Sequence, residues 1–316
     1  MSHPGIYVGR LAPSPTGALH LGNVRTFMIA YLRARSLGGK VIMRIEDLDH
    51  PRDKIGADVE ALEDLKYLGF DWDEVYRQSE RVELYHEAIT KLHEESLVYP
   101  CVCSRRDVEA AQSAPHEGDQ LYYPGICRGK FSSWQEAVKL KASPCWRFAV
   151  PPKTEISFED VFAGRFSMDV SKTLGDFPLA RDEAGAGYTL AVVVDDLQMG
   201  VTEVVRGDDL LAATPQQILL ARHLGAKKIP DYCHVPLVVG RDGKRLAKRH
   251  GDTRIASYRK SGVKREEIIG FLAASCGWCE EGERISLENL LPRFSLDTIP
   301  RRPLVVERNV FQIGEK

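Results

Sequence analysis

The stretch from Gly5 to Asp47 constrains the fold more than any other part of the 316-residue chain. Residues 5–10 (GIYVGR) read as a short strand, and a Pro/Gly-rich loop, LAPSPTGALHLGN, follows it. NVRTFMIAYLRARSLGG then reads as a helix that stops at Gly38–Gly39, and KVIMRIEDLD supplies a second strand over 40–46. A strand, a tight loop, a helix and another strand make a βαβ unit, whose crossover forces the two strands parallel. The fold class is therefore α/β. Further helical patterns cover 54–68 and 80–97. Residues 99–190 change character, with cysteines, short strands and many Pro/Gly breaks that suggest an inserted subdomain. TLAVVVDDLQ and VTEVVRGDDL read as a return to apolar strands, backed by a helix in TPQQILLARHLG. Beyond 241 the chain is basic, then helical, and no internal repeat or low-complexity tract interrupts it.

A 43% hydrophobic and 28% charged composition suffices for an ordinary folded core. The net charge of −2 neither announces a nucleic-acid partner nor excludes one, since a basic patch fits inside a neutral total. No apolar run approaches the roughly 18 residues that a membrane span needs, and MSHPGIYVGR lacks the charged start and apolar stretch of a signal peptide. No membrane association and a cytoplasmic location are the expectation. The seven cysteines then read as thiols or metal ligands rather than a disulfide framework.

Open α/β sheets bind ligands at the carboxyl ends of their strands, where Ala12–Asn23 sits. Pro13 and Pro15 stiffen this loop, and Gly17 and Gly22 let backbone approach a ligand. His20 and Asn23 lie three apart at a helix start, placed to face an anion held there. Most such loops are only connections, and no GxxxxGK[ST] phosphate loop occurs. APSPTGALHLGN nevertheless closely resembles the ATP-binding signature of class I aminoacyl-tRNA synthetases, specifically their glutamyl branch. Asn23 stands where that motif usually ends in His, a departure common in this branch. The resemblance implies ATP contacts from Pro13, His20, Gly22 and Asn23, with His20 stabilising charge on the α-phosphate as the adenylate forms.

GRDGKRLAKRHGD, at 240–252, is on its own an ordinary solvated basic loop. It resembles the second class I signature, KLSKR in this branch, through Arg245-Leu246-Ala247-Lys248-Arg249. Arg245 replaces the first Lys and Ala247 the Ser. Lys248 keeps the position that the resemblance assigns to gripping ATP phosphates and stabilising the departing pyrophosphate, with Arg245 beside it. Both signatures occur in the right order, which is far more specific than either alone.

The resemblance also implies a glutamate pocket, built from Arg10-Leu11-Ala12-Pro13-Ser14, Glu46, Tyr188 and Arg206. Two arginines suit two carboxylates through forked hydrogen bonds, Glu46 suits the α-ammonium, and Tyr188 can donate to a side-chain oxygen. A neutral glutamine would leave one guanidinium under-paired. Each of these residues alone could equally be surface decoration at a strand end.

Cys101 and Cys103 form a CxC, and Cys127 follows with Tyr123 four residues before it. Three thiolates and one more ligand make a closed tetrahedral zinc site, and buried small hydrophobes are the alternative reading. The family of glutamyl-Q tRNA(Asp) synthetases has this CxC…YxxxC pattern, which implies one structural zinc held by Cys101, Cys103, Tyr123 and Cys127. Cys145 is the rival fourth ligand. Cys276-Gly-Trp-Cys279 looks like a redox CxxC but ends a helical pattern rather than starting one. Gly185-Ala-Gly187 precedes an apparent strand and so reads as a hairpin turn rather than a dinucleotide loop.

The resemblance covers residues 5–290 and implies a Rossmann-type class I catalytic domain. Its first half is 1–98, an acceptor-binding-like zinc subdomain is inserted at 99–189, its second half is 190–240, and 241–316 is a signature loop with a short helical region. An anticodon-binding domain is not expected before the chain stops at Lys316. The implied activity is ATP-dependent activation of L-glutamate, with Mg2+ on the phosphates, and transfer to queuosine in the anticodon loop of tRNA(Asp) by a monomer. A minimal 3′-charging glutamyl-tRNA synthetase and a non-catalytic tRNA-binding protein on the same fold are the alternatives.

Overall fold

The computed structural model describes residues 5–15, 17–48, 55–110, 122–140, 143–183, 185–246, 253–306 and 310–311. In chain order the elements are β1 (Val8–Leu11), α1 (Leu21–Ser36), β2 (Lys40–Ile45), α2 (Ala57–Leu68), β3 (Glu74–Arg77), α3 (Val82–Glu94), β4 (Val98–Cys101), α4 (Arg105–Ala110) and α5 (Trp134–Leu140). There follow β5 (Cys145–Phe148), β6 (Glu155–Asp160), β7 (Gly164–Asp169), α6 (Val170–Thr173), β8 (Phe177–Ala180), α7 (Tyr188–Gln198), β9 (Glu203–Gly207) and α8 (Thr214–His223). The last are β10 (Asp231–Val235), β11 (Val238–Val239), α9 (Ile255–Lys260), α10 (Arg265–Ala274), α11 (Leu287–Leu290) and β12 (Leu304–Val305).

The expected βαβ unit is present, and β1, β2 and β3 form a parallel sheet in that order. Helix α1 buries Leu21, Val24, Met28, Ile29 and Leu32 along one stripe, the spacing that the sequence pattern requires. It ends where Gly38 takes a positive φ of 63°, and at Gly39 an added Cβ would lie 2.5 Å from the Tyr7 carbonyl. A second sheet has the order β7-β6-β10-β9, with β6, β10 and β9 parallel and β7 antiparallel. Strands β1 and β9 meet where the Thr202 amide donates to the Val8 carbonyl (2.9 Å). β1 thus lies between β2 and β9, and the chain leaves it toward both sides, the arrangement that opens a crevice at the strands' carboxyl ends. Strands β4, β5 and β8 make a separate antiparallel sheet that carries Cys101 and Cys145.

The structure corrects one element. TLAVVVDDLQ is not a strand but lies in helix α7, and Leu190 through Asp196 are all buried in it. A continuously apolar run has no period to read, and burial on every side suits a helix as well as a strand. The consequence reaches Gly185–Gly187, which precede a helix: Gly187 is the N-cap of α7, and an added Cβ there would lie 2.9 Å from the Leu179 carbonyl. That glycine serves close backbone packing. Segment 155–169, expected within the insert, contributes β6 and β7 to the sheet of β9 and β10. Cys276 follows the end of α10, as the sequence reading of that CxxC expects, and is fully buried. Among the described residues no helix is long and apolar enough to cross a membrane.

Candidate active site

The loop after β1 closes on the start of α1 through its own side chains. His20 is the N-cap residue: its Nδ1 accepts from the Gly22 amide (3.1 Å), while its own amide donates to Asn23 Oδ1 (3.2 Å). Asn23 therefore completes a capping box. At Gly22 an added Cβ would lie 3.1 Å from the imidazole, so this glycine makes room for His20 itself. Because Nδ1 accepts, Nε2 carries the proton. Burial, with Arg245 adding to it, pushes the imidazole pKa down to about 4, so His20 is a neutral donor at neutral pH. The Leu21 amide donates to Thr253 O and the Ile255 amide to Leu19 O, which ties the helix start to the chain that returns after the second signature.

Charged side chains converge beside this loop. Arg10 on β1 is buried; its Nη1 donates to the Val205 carbonyl of β9 (3.1 Å), and its Nε, 3.5 Å from Asp196 Oδ1, makes no hydrogen bond. Burial lowers the Arg10 pKa, and Arg44 and Arg206 lower it further against the pull of Asp196. The surroundings of Arg10 are short of negative charge. Arg44, fully buried, donates to Asp196 Oδ1 (2.5 Å) and Glu46 Oε1 (3.3 Å). Glu46 accepts from the Ser14 hydroxyl at Oε2 (3.3 Å), and its amide donates to the Pro13 carbonyl. Burial raises its carboxyl pKa against Arg44 and Arg10, so a further cation would be welcome there. Leu11 is buried in the core, which leaves its backbone as the part that could meet a ligand. Ala12 follows the end of β1 directly.

Tyr188 begins α7. The residue is 46% exposed, yet burial and the charge of Glu46 raise its pKa against Arg206, Arg10 and Arg44. Arg206 on β9 is buried, with Nε donating to His234 Nε2 (2.9 Å) and Nη2 to Thr214 Oγ1 (2.7 Å). Strands β1, β2 and β9, the loop after β1 and the start of α7 thus bring Arg10, Ser14, Glu46, Tyr188 and Arg206 near one another.

The second signature leaves a hairpin in which the Gly240 amide donates to Lys244 O and the Leu246 amide to Val238 O. Arg245 donates to Asp209 Oδ2 (3.0 Å) and acts electrostatically on His20. Lys248, with Ala247 and Arg249, lies outside the described residues.

At and past the end of β4, the Sγ atoms of Cys101, Cys103 and Cys127 lie within 4.8 Å of one another. The Tyr123 hydroxyl is 3.2 Å from Cys101 Sγ and 3.6 Å from Cys103 Sγ, and accepts from the Cys127 amide (2.9 Å). Tetrahedral zinc with bonds of ~2.3 Å would hold its sulfurs roughly 3.8 Å apart, so this donor set fits such an ion. Arg147 lies 3.8 Å over the Tyr123 ring, where its charge suits a thiolate-rich site. Cys145 faces Cys101 across the strand pair.

Residues 7–310 match tRNA synthetases class I (E and Q), catalytic domain. The chain belongs to this family. It is accordingly a synthetase, an enzyme of the ligase type. The glutamyl-Q tRNA(Asp) synthetases of Symbiobacterium thermophilum and Rhodopirellula baltica are 46% and 44% identical to it. These alignments span 94% of each chain for the first, and 95% of this synthetase and 96% of the relative for the second. The glutamate–tRNA ligase of Aquifex aeolicus is 40% identical over 95% of this synthetase but only 64% of its own length. A crystal structure of glutamate-tRNA synthetase from Elizabethkingia anophelis superimposes with a TM-score of 0.80 at 28% identity, covering 96% of this synthetase and 68% of that chain.

The sequence reading misses Arg44, Asp195, Asp196, Asp160, Thr214 and His234. Asp195 accepts from Gln78, Arg81 and Tyr85, and Asp196 from Arg44. On α7 these adjacent side chains point in different directions and reach different partners, whereas the strand reading would have put them on opposite faces of a sheet. The available signal was four acidic residues and one arginine in RIED and VVDD, more charge than a buried segment carries without pairing.

Proposed function

We propose that this synthetase activates L-glutamate with ATP and transfers it to queuosine in the anticodon loop of tRNA(Asp). The observation that carries the glutamate reading is the convergence of Arg10 with Arg206, Glu46 and Tyr188. Arg206 and Arg10 would each take a carboxylate, Glu46 the ammonium, and Tyr188 a side-chain oxygen. A glutamate α-carboxylate oxygen attacks the α-phosphorus of ATP, and the bond to pyrophosphate breaks. His20 Nε2–H would donate to the α-phosphate as charge builds, and Lys248 with Arg245 would hold the phosphates that leave. Magnesium would accompany those phosphates and neutralise them. A hydroxyl of the queuosine ring then attacks the acyl carbon, AMP departs, and the hydroxyl proton is lost. Zinc held by Cys101, Cys103, Tyr123 and Cys127 would staple the inserted subdomain at 99–189, taking no part in the chemistry.

The names of the relatives at 46% and 44% identity support queuosine as the acceptor. The likeness to glutamate–tRNA ligases favours a second reading, charging of a 3′ end. Removal of the 3′-terminal adenosine separates them. Labelled glutamate should pass to trimmed tRNA(Asp) from queuosine-making cells and not to the same tRNA from cells lacking queuosine. Transfer to tRNA(Glu) that vanishes on trimming would leave 3′ charging in its place.

A further inference from the structure

Arg206 is aimed by a chain of buried groups that runs back to β6. Its Nε donates to His234 Nε2 (2.9 Å) and its Nη2 to Thr214 Oγ1 (2.7 Å). Among the described residues its Nη1 makes no hydrogen bond, which leaves that edge for a ligand. The Tyr232 ring supports the guanidinium at 5.3 Å. His234 Nδ1 lies 2.6 Å from Asp160 Oδ2. The other oxygen, Asp160 Oδ1, accepts from the backbone amides of Phe162 (3.0 Å), Ala163 (2.7 Å) and His234 (3.0 Å). Parallel pairing of β6 with β10, through Tyr232 and Asp160, sets this contact between residues far apart in sequence.

We propose that Asp160 and His234 are positioning residues of the glutamate site: they hold the imidazole as its Nδ1–H tautomer, so that Nε2 stays an acceptor and fixes the plane of Arg206. The inference rests on the reading of Arg206 as a carboxylate ligand. An arginine always presents an Nε–H donor, so the atom facing it must accept. Imidazole accepts at Nε2 only if its proton sits on Nδ1, and a carboxylate opposite Nδ1 puts it there. Burial lowers the His234 pKa although Asp160 raises it, which agrees with a neutral ring beside Arg206. A fixed guanidinium plane matters because forked pairing with a carboxylate depends on orientation, whereas a loose cation would hold any nearby anion.

Asp160→Asn is the sharpest test. Three backbone amides keep the Asn oxygen where Oδ1 sits, so the Asn NH2 must face His234 Nδ1. Nδ1 then accepts, Nε2 gains the proton, and two donors confront each other at Arg206. Calorimetric titration with L-glutamate should show affinity lower by about tenfold or more, with ATP affinity within about twofold of the parent. Nitrogen NMR of the imidazole should show the proton moved from Nδ1 to Nε2. A folded Asp160→Asn protein with parental glutamate affinity, beside an Arg206→Ala protein that loses it, overturns the proposal. Parental affinity in Arg206→Ala overturns the reading of Arg206 instead. If Asp160→Asn does not fold, the pair His234→Gln and His234→Leu decides. Gln can donate to Asp160 and accept from Arg206, so it should regain most of the affinity that Leu loses, and equal losses refute the aiming role.

Discussion

Asp196→Ala tests the charge arrangement under the crevice. Asp196 receives Arg44 Nη1 at 2.5 Å and stands 3.5 Å from Arg10 Nε. Arg44 is wholly buried and Arg10 nearly so, which leaves neither guanidinium able to turn to water. Removing one partner of a buried ion pair costs about 3–5 kcal/mol, because the other charge stays in place uncompensated. Here Glu46 remains 3.3 Å and Asp195 3.9 Å from Arg44, which moves the expected loss to about 3 kcal/mol, the lower end of that range. Such a loss lowers the ratio of folded to unfolded protein by roughly a hundredfold. Asp196→Asn keeps an oxygen for Arg44 and removes only the charge, so it should fall between Ala and parent. Urea unfolding followed by circular dichroism measures all three, with the denaturant slope checked for constancy. An Asp196→Ala protein within about 0.5 kcal/mol of the parent, the range of ordinary surface substitutions, refutes the argument that this carboxylate neutralises the two arginines.

His20 couples stability to acid. Its folded pKa of about 4 lies below the ordinary 6.5, so between those pH values the unfolded chain binds more protons and stability rises with pH. The contribution amounts to about 3 kcal/mol, fully present above pH 6.5 and lost as the pH falls to about 4. His20→Asn keeps a side-chain cap and removes the titration, so its stability should flatten over that window, and parallel acid limbs for parent and variant contradict the assignment. Elemental analysis should find about one zinc per chain, lost in Cys103→Ser and kept in Cys145→Ser. Loss in Cys145→Ser with retention in Tyr123→Phe makes Cys145 the fourth ligand.

Local signals in the sequence were enough for the βαβ unit. The α1 stripe, its stop at Gly38–Gly39 and the alternation of strand and helix depend on neighbours within a few residues, so they survive without knowledge of the rest. His20 at the helix start is legible for the same reason, since a cap is a local device. Arg10, Glu46 and Arg206 are legible as charges at strand ends, and the three cysteines gather as their spacing suggests.

The sequence alone determined which residue types were available to the crevice; the tertiary structure decided how their charges are shared. TLAVVVDDLQ carries no period, and only packing on every side of α7 makes it a helix. That helix turns Asp195 toward Gln78, Arg81 and Tyr85 and Asp196 toward Arg10 and Arg44. Asp160 and His234 meet only because β6 lies beside β10. A hydrogen bond across that distance in sequence depends on strand order, and strand order depends on the burial of whole elements against one another.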